Sequence, residues 1–424
     1  MTNFRKYKNE ADSCFEKKDY REAEKQYRQL FNKFPEACNR YDALHHVQCL
    51  KATRQYRLML NRCRQYFPQF KDFTPLRTMY ALSIWYTEIK FADGKTNPEI
   101  LIKAARATAQ LCRPDDTYAP YALSILKAAG HQNMPPEDCV KLTNLLTPDF
   151  LSDKPYTFIH KTGKKIVLPS ELEKYFLLRS KALYKIGQYK EARETAQQGL
   201  HTIKHFRADN AVWLKRMVYL SLQATENYAE AVKIAEEVST RQNRWFLKKE
   251  LSELYRQNGQ HSKALNTACD AALQNGDPTK KVRLYSLLAQ FFEENKQIQD
   301  AQKHRLLEYN LRTEKGWRIS EELKNFVSEN SEHKTDSLLR DLRKLWQQTL
   351  EEQTERFTGK IINILAHGKA GFIKGANGKS HYFSIKNFRG KKPTINRPVS
   401  FELRPSYDKK KQKASNEAVN IRVL

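Results

Sequence analysis

Phe372 and Tyr382, set among Lys360, Lys369, Lys374, Lys386 and Arg389 with Ser384 nearby, are the residues of this 424-residue chain whose types and spacing suit a defined chemistry. An aromatic ring gives a nucleobase a surface to stack on, and a cation beside it neutralises the neighbouring phosphate. No catalytic pattern competes with this one. The sequence has no phosphate-binding glycine loop, no G-x-S-x-G elbow, no H-E-x-x-H pair and no acidic metal cluster. The eleven histidines are scattered, and His45-His46 and the pair His201 and His205 fall at helical positions that suit packing. Seven cysteines, at 14, 38, 49, 63, 112, 139 and 269, include no C-x-x-C pair, which points to reduced thiols packed as small hydrophobes rather than to zinc. The chain therefore reads as a non-enzyme without metal or cofactor.

For the two rings to act together they must lie on one face of a sheet, and the turn between their strands decides this. Asn377-Gly378 is a hairpin signal between Lys369–Ile373 and Ser380–Lys386. A two-residue turn sets Phe372 opposite Phe383 and mixes charge into both faces. A three-residue turn at Ala376-Asn377-Gly378, with the glycine left-handed, sets Phe372 opposite Tyr382 instead. Ile373, Phe383 and Ile385 then share the inner face, while Phe372, Lys374, Tyr382, Ser384 and Lys386 share the outer one.

Lys360-Ile361-Ile362, Gly371-Phe372-Ile373, Tyr382-Phe383, Val399–Leu403 and Ala418–Val423 resemble, in order, the five strands of a cold-shock domain. The resemblance covers about the last 66 residues. It implies a five-stranded OB-type barrel that binds single-stranded RNA or DNA through its second and third strands. The family's first-strand tryptophan falls at Asn363, the first aromatic of its glycine-rich strand at Ala370, and its third-strand histidine at Ser384, so the stacking platform is reduced. Phe388 reads as core.

The chain carries a net charge of +27, and from Arg356 onward 16 Lys/Arg stand against 3 Asp/Glu, so +13 of it lies in the C-terminal piece. That is the electrostatic footprint of a polyanion partner. Lys409-Lys410-Lys411 with Lys413 is a charge run between the fourth and fifth strands. There is no bilayer-length apolar run and no signal peptide, so the expectation is a soluble, cytoplasmic protein with no membrane contact.

Ahead of the barrel the chain repeats itself. Lys18-Asp19-Tyr20-Arg21-Glu22-Ala23 recurs as Gly187–Ala192, Asn227–Ala231, Gly259–Ala264 and Gln297–Ala301. Ala192, Ala231, Ala264 and Ala301 are spaced 39, 33 and 37 residues apart. A small residue near the start of the second helix of a pair lets the first approach closely. This turn-Tyr-x-x-Ala core resembles tetratricopeptide repeats, whose period is about 34 residues. It covers 1–35 and 171–310, and 41–147 reads as degenerate helical pairs in which Tyr56 and Met59 keep the corner spacing. Arg54, Arg57 and Arg64 form a solvated basic stripe.

Residues 153–169 break the helical rhythm with alternation around a central Thr-Gly, which predicts a β-hairpin. Leu338, Leu342, Leu345 and Trp346 lie on one stripe of a helix suited to capping the solenoid, with Glu351 to Arg356 as a short charged link. The fold class expected is thus multidomain: an α-helical tetratricopeptide-like solenoid followed by a small all-β five-stranded OB or cold-shock-like barrel. Its parts are helical repeats at 1–152, the hairpin at 153–169, a second helical array with its cap at 170–355, and the barrel at 356–424. The function expected is a scaffold whose repeats bind a protein partner and whose barrel binds single-stranded RNA or DNA. Two other readings stay open: a pure protein adaptor whose barrel no longer binds nucleic acid, and the recognition subunit of a larger bacterial defence or repair enzyme complex.

Overall fold

Among the described residues, six helix-to-helix corners share one backbone geometry. At each, a residue just past the first helix turns left-handed: Lys18 (φ 61°), Arg54 (φ 60°), Gly187 (φ 81°), Glu226 (φ 60°), Gly259 (φ 73°) and Lys296 (φ 62°). The next N–H then reaches back to a carbonyl of the last turn, as Gln188 N donates to Leu183 O at 3.0 Å and Asn227 N to Leu222 O at 2.9 Å. This closes a Schellman motif and satisfies carbonyls that a helix end otherwise orphans. The second helix starts one residue later, and three residues on its side chain is buried and usually small: Ala23, Met59, Ala192, Ala231, Ala264 and Ala301.

In the computed structural model the described residues are 2–112, 120–328, 334–353, 356–389, 392–408 and 413–424. They divide into two compact units, residues 1–243 and 244–424. Neither the hairpin nor the start of the barrel marks that division. The first unit holds α1 (Thr2–Glu16), α2 (Tyr20–Lys33), α3 (Arg40–Ala52), α4 (Tyr56–Tyr66), α5 (Thr74–Ile84) and α6 (Pro98–Leu111). It continues through α7 (Tyr121–Ala129), α8 (Pro136–Thr143), a hairpin of β1 (Tyr156–Ile159) and β2 (Lys165–Leu168), α9 (Glu171–Lys185), α10 (Tyr189–Thr202), α11 (Ala211–Ala224) and α12 (Tyr228–Arg241). Successive helices pack on one another, and α1 to α5 enclose an apolar core that includes Tyr27, Leu30, Val47, Leu50 and Met59. Close approach is enforced at Gly199 of α10, where a Cβ would sit 2.8 Å from the Phe176 side chain and 2.9 Å from Leu214.

The second unit begins with α13 (Trp245–Gln257), α14 (His261–Leu273), α15 (Val282–Glu294), α16 (Ile298–Glu314), α17 (Glu321–Ser328) and α18 (Thr335–Gln353). On α18, which packs on α14 and α16, Leu338, Leu342 and Trp346 are buried and Leu345 is half-buried. Trp346 Nε1 donates to His304 Nε2 at 2.8 Å, and the other ring nitrogen of His304 lies 2.7 Å from the Asp300 carbonyl. Burial pushes the pKa of His304 down to about 4. The seven cysteines are free thiols, six of them buried, and burial raises the pKa of Cys38, Cys49 and Cys63 to about 12. No described helix is long and apolar enough to cross a membrane.

The unit ends in a closed barrel of β3 (Arg356–Ile364), β4 (Ala370–Gly375), β5 (Ser380–Ser384), β7 (Pro398–Asp408) and β8 (Lys413–Val423), with the two-residue β6 (Phe388–Arg389) beside β8. Neighbours pair antiparallel except that β5 and β6 both run parallel to β8, and the β5–β8 pairing closes the ring. Ile361, Ile373, Phe383, Val399, Phe401, Ala418 and Ile421 fill it, with Ile385 and Phe388 packed against them. Arg356 opens β3 instead of lying in a link. Its guanidinium donates to Glu402 Oε1 at 2.8 Å and to the carbonyls of Ser400 (3.2 Å) and Asn420 (2.9 Å), so one side chain ties three strands together. Residues 354 and 355, between α18 and β3, lie outside the described set.

Candidate nucleic-acid interface

The hairpin of β4 and β5 sets the geometry of the candidate face. Gly375 N donates to Lys379 O at 2.9 Å, Gly378 N donates to Gly375 O at 2.9 Å, and Gly378 has φ 77°. The loop is therefore Ala376-Asn377-Gly378 with a left-handed glycine, and Phe372 stands opposite Tyr382. Carried across to β3, this register builds two rungs on the outer face. One is Asn363–Phe372–Tyr382, and the other is Lys360–Lys374–Ser380. The rings of Phe372 and Tyr382 meet edge to face with centroids 5.9 Å apart. Tyr382 is 43% exposed, Phe372 is half-buried, and Lys360 and Lys374 are exposed.

Beneath them the inner face is packed without slack. A Cβ on Gly371 would lie 2.5 Å from the Asn363 carbonyl oxygen and 2.7 Å from the Phe383 ring, so only glycine lets the two strands close over that ring. His381 also points inward, against Phe401 at 5.5 Å between ring centroids. Burial, with the Lys379 charge beside it, holds its imidazole below the usual histidine range. Sequence reasoning missed His381, although its alternation with Tyr382 already implied an inward position.

The remaining expected residues are less tightly grouped. Lys369 is exposed in the turn before β4, and its carbonyl accepts from Ile385 N at 3.0 Å. Ser384 is half-buried in a rung with Ala370, which is only 2% exposed and supplies no ring. Lys386 corrects the expectation: β5 ends at Ser384 and residues Ile385–Asn387 form a 3-10 turn, so Lys386 is exposed beyond the strand rather than on its outer face. The chain turns there because it must leave β5 to pair β6 with β8 at Phe388 and Ile421. Arg389 is in β6, and its side chain lies outside the described residues, as does the Lys409-Lys410-Lys411 run. A register shift between Ile361 and Asn363 adds Ile362, 41% exposed, to the surface of β3. A bulge of this kind leaves no reliable mark in sequence.

Among the described residues no carboxylate pairs with Lys360, Lys369, Lys374 or Lys386, and no His, Cys, Asp and Glu group could hold a metal ion. The acid near the rings, Glu417, is already held by Asn387 Nδ2 at 3.0 Å and Arg404 at 3.1 Å.

No family model matches the sequence, and no curated protein matches it. Solved structures similar to the chain include a tetratricopeptide repeat protein from Parabacteroides merdae, 12% identical over 82% of this chain and 100% of that one, with a TM-score of 0.30. A human IFIT1 dimer with PPP-AAAA is 14% identical over 82% of this chain and 74% of its own, with a TM-score of 0.35. MamA from Desulfovibrio magneticus RS-1 is 12% identical over 53% of this chain and 98% of its own, with a TM-score of 0.32.

Proposed function

We propose that the chain is a non-enzymatic scaffold whose C-terminal barrel is a cold-shock-like module for single-stranded RNA or DNA and whose helical repeats hold a protein partner. The observation that carries the reading is the pair of adjacent rungs on the outer face. Lys360 and Lys374 stand directly opposite each other on neighbouring strands, with no carboxylate among the described residues to relieve them. Like charges so placed cost stability, and a polyanion offsets that cost. The next rung presents Phe372 and Tyr382, on which bases can stack where phosphates meet the lysines. A single strand fits this face better than a duplex does, because only unpaired bases expose their flat surfaces to rings.

The repeats suit a protein partner because stacked helical hairpins offer an extended surface built from many short elements. A second reading, a protein adaptor, draws on the missing ring at Ala370, which shortens the stacking platform by one position. Ultraviolet crosslinking of the full chain to single-stranded RNA and DNA, with the attached peptides identified by mass spectrometry, separates the two. Adducts on Phe372 or Tyr382 support the nucleic-acid reading. Adducts absent from β3, β4 and β5 would favour the adaptor.

A further inference from the structure

The β1–β2 hairpin in the first unit is a second feature with nucleic-acid chemistry. Its strands pair Tyr156 with Leu168, Thr157 with Val167, Phe158 with Ile166 and Ile159 with Lys165. His160 N donates to Lys164 O at 2.9 Å, Gly163 N donates to His160 O at 2.8 Å, and Gly163 has φ 76°, which fixes a tight tip. A two-stranded ribbon is marginal in water unless something packs on it. Here Tyr156 is 64% exposed and Ile159 is 75% exposed, so a large part of its apolar surface is open to solvent.

The charge around that surface has one sign. Lys154, Lys161, Lys164 and Lys165 are all exposed, and Asp153 is the single acid from 153 to 169. None of the four lysines has a carboxylate partner among the described residues. Tyr156 and Phe158 lie on the same face with ring centroids 6.0 Å apart, at 30° to each other. An acidic peptide would answer the lysines but leave the two rings without a stacking partner. A polynucleotide answers both, since each base has a flat face and each phosphate a charge.

We infer that this hairpin is a second nucleic-acid contact, distinct from the barrel, which grips the backbone of a single strand with Lys161 and Lys164 at its tip and stacks a base on the Tyr156–Phe158 face, while Lys165, opposite Ile159, stands on the other face. Only residues of the hairpin take part, so this contact can fail while the barrel reading holds, and the reverse.

The test is fluorescence anisotropy of the full chain with oligo(U) and oligo(dT) of about 30 nucleotides across a salt series. It is run in the parent and in a background carrying Phe372→Ala and Tyr382→Ala. Replacing Lys161 and Lys164 together by glutamine should lower the slope of log affinity on log salt by about 1.4 in both backgrounds, at about 0.7 for each phosphate no longer neutralised. Replacing the same two by arginine should restore the slope. Tyr156→Ala with Phe158→Ala should weaken binding about fivefold or more with little change of slope. An unchanged slope in the glutamine variant overturns the inference. So does a glutamine variant that loses affinity for polyglutamate while keeping its affinity for both oligonucleotides, since the ligand would then be an acidic protein.

Discussion

His304 fixes the cap of the helical array in one protonation state, and acid should release it. The ring is fully buried, stacked on Phe292 at 5.0 Å between centroids. An indole N–H only donates, so His304 Nε2 must be the acceptor from Trp346, and Nδ1 must carry the proton that is donated to the Asp300 carbonyl. A proton added at Nε2 would face the indole N–H and find no acceptor. Burial therefore takes the pKa from the usual 6.5 to about 4. The unfolded chain binds this proton near 6.5 and the folded chain only near 4, so the folded state is favoured in full above about 6.5. That advantage is lost as pH falls from there to about 4, and the total is roughly 3 kcal/mol, at about 1.4 kcal/mol per pKa unit. Hydrogen exchange of the α16 and α18 amides, corrected for intrinsic rates, reads this locally. Protection should fall between pH 6.5 and 4 in the parent and stay flatter in His304→Gln, whose amide can accept from Trp346 and donate to Asp300 but does not titrate. Equal pH dependence in both proteins would refute the assignment, as would a histidine titration near 6.5 followed at His304 by nitrogen NMR.

Three further changes probe the barrel and the corners. Gly371→Ala should destabilise the barrel by about 1–3 kcal/mol, because its Cβ would meet backbone on one side and the Phe383 ring on the other; strand-selective hydrogen exchange reports it. Arg356→Ala should cost the barrel about 3–5 kcal/mol by leaving Glu402, only 6% exposed, without its charged partner, and urea titration followed at β3, β7 and β8 amides measures the loss. Glu226→Gly and Lys296→Gly should each stabilise their repeat by a few tenths to about 1 kcal/mol, since both hold a left-handed conformation that a Cβ disfavours; slower exchange in the flanking helices is the readout.

The parts that were legible in sequence are those where one residue type has one physical use. Alanine three residues into a second helix marks a close approach, and it located five of the six corners; Met59 at the sixth kept the spacing without the small side chain. Gly378 could be placed because a three-residue hairpin loop needs one left-handed position, and that one choice fixed the β4–β5 part of both rungs, Phe372 opposite Tyr382 and Lys374 opposite Ser380. What sequence hid depends on distant pairing. Lys386 leaves the outer face because β8 captures β6, a pairing some 30 residues away in the chain. The Arg356 network spans β3, β7 and β8, and nothing local to Arg356 announces it. The left-handed residues at four corners are Lys, Arg or Glu instead of glycine, so the turn chemistry that usually signals such a position was silent there.

The central claim is that the outer face of β4 and β5 binds single strands by stacking and charge together. Fluorescence anisotropy of the folded full chain with short single-stranded RNA and DNA, repeated across a salt series, tests it most directly. Phe372→Ala and Tyr382→Ala should each weaken binding by about 1–3 kcal/mol at constant salt slope. Lys360→Gln with Lys374→Gln should flatten the slope by about 0.7 for each phosphate that no longer meets a lysine. Phe383→Ala, which removes a fully buried core ring, should instead cost the barrel about 3–5 kcal/mol of stability. Should both ring variants bind as the parent does, or the parent bind neither polymer at moderate salt, the account of this face is contradicted.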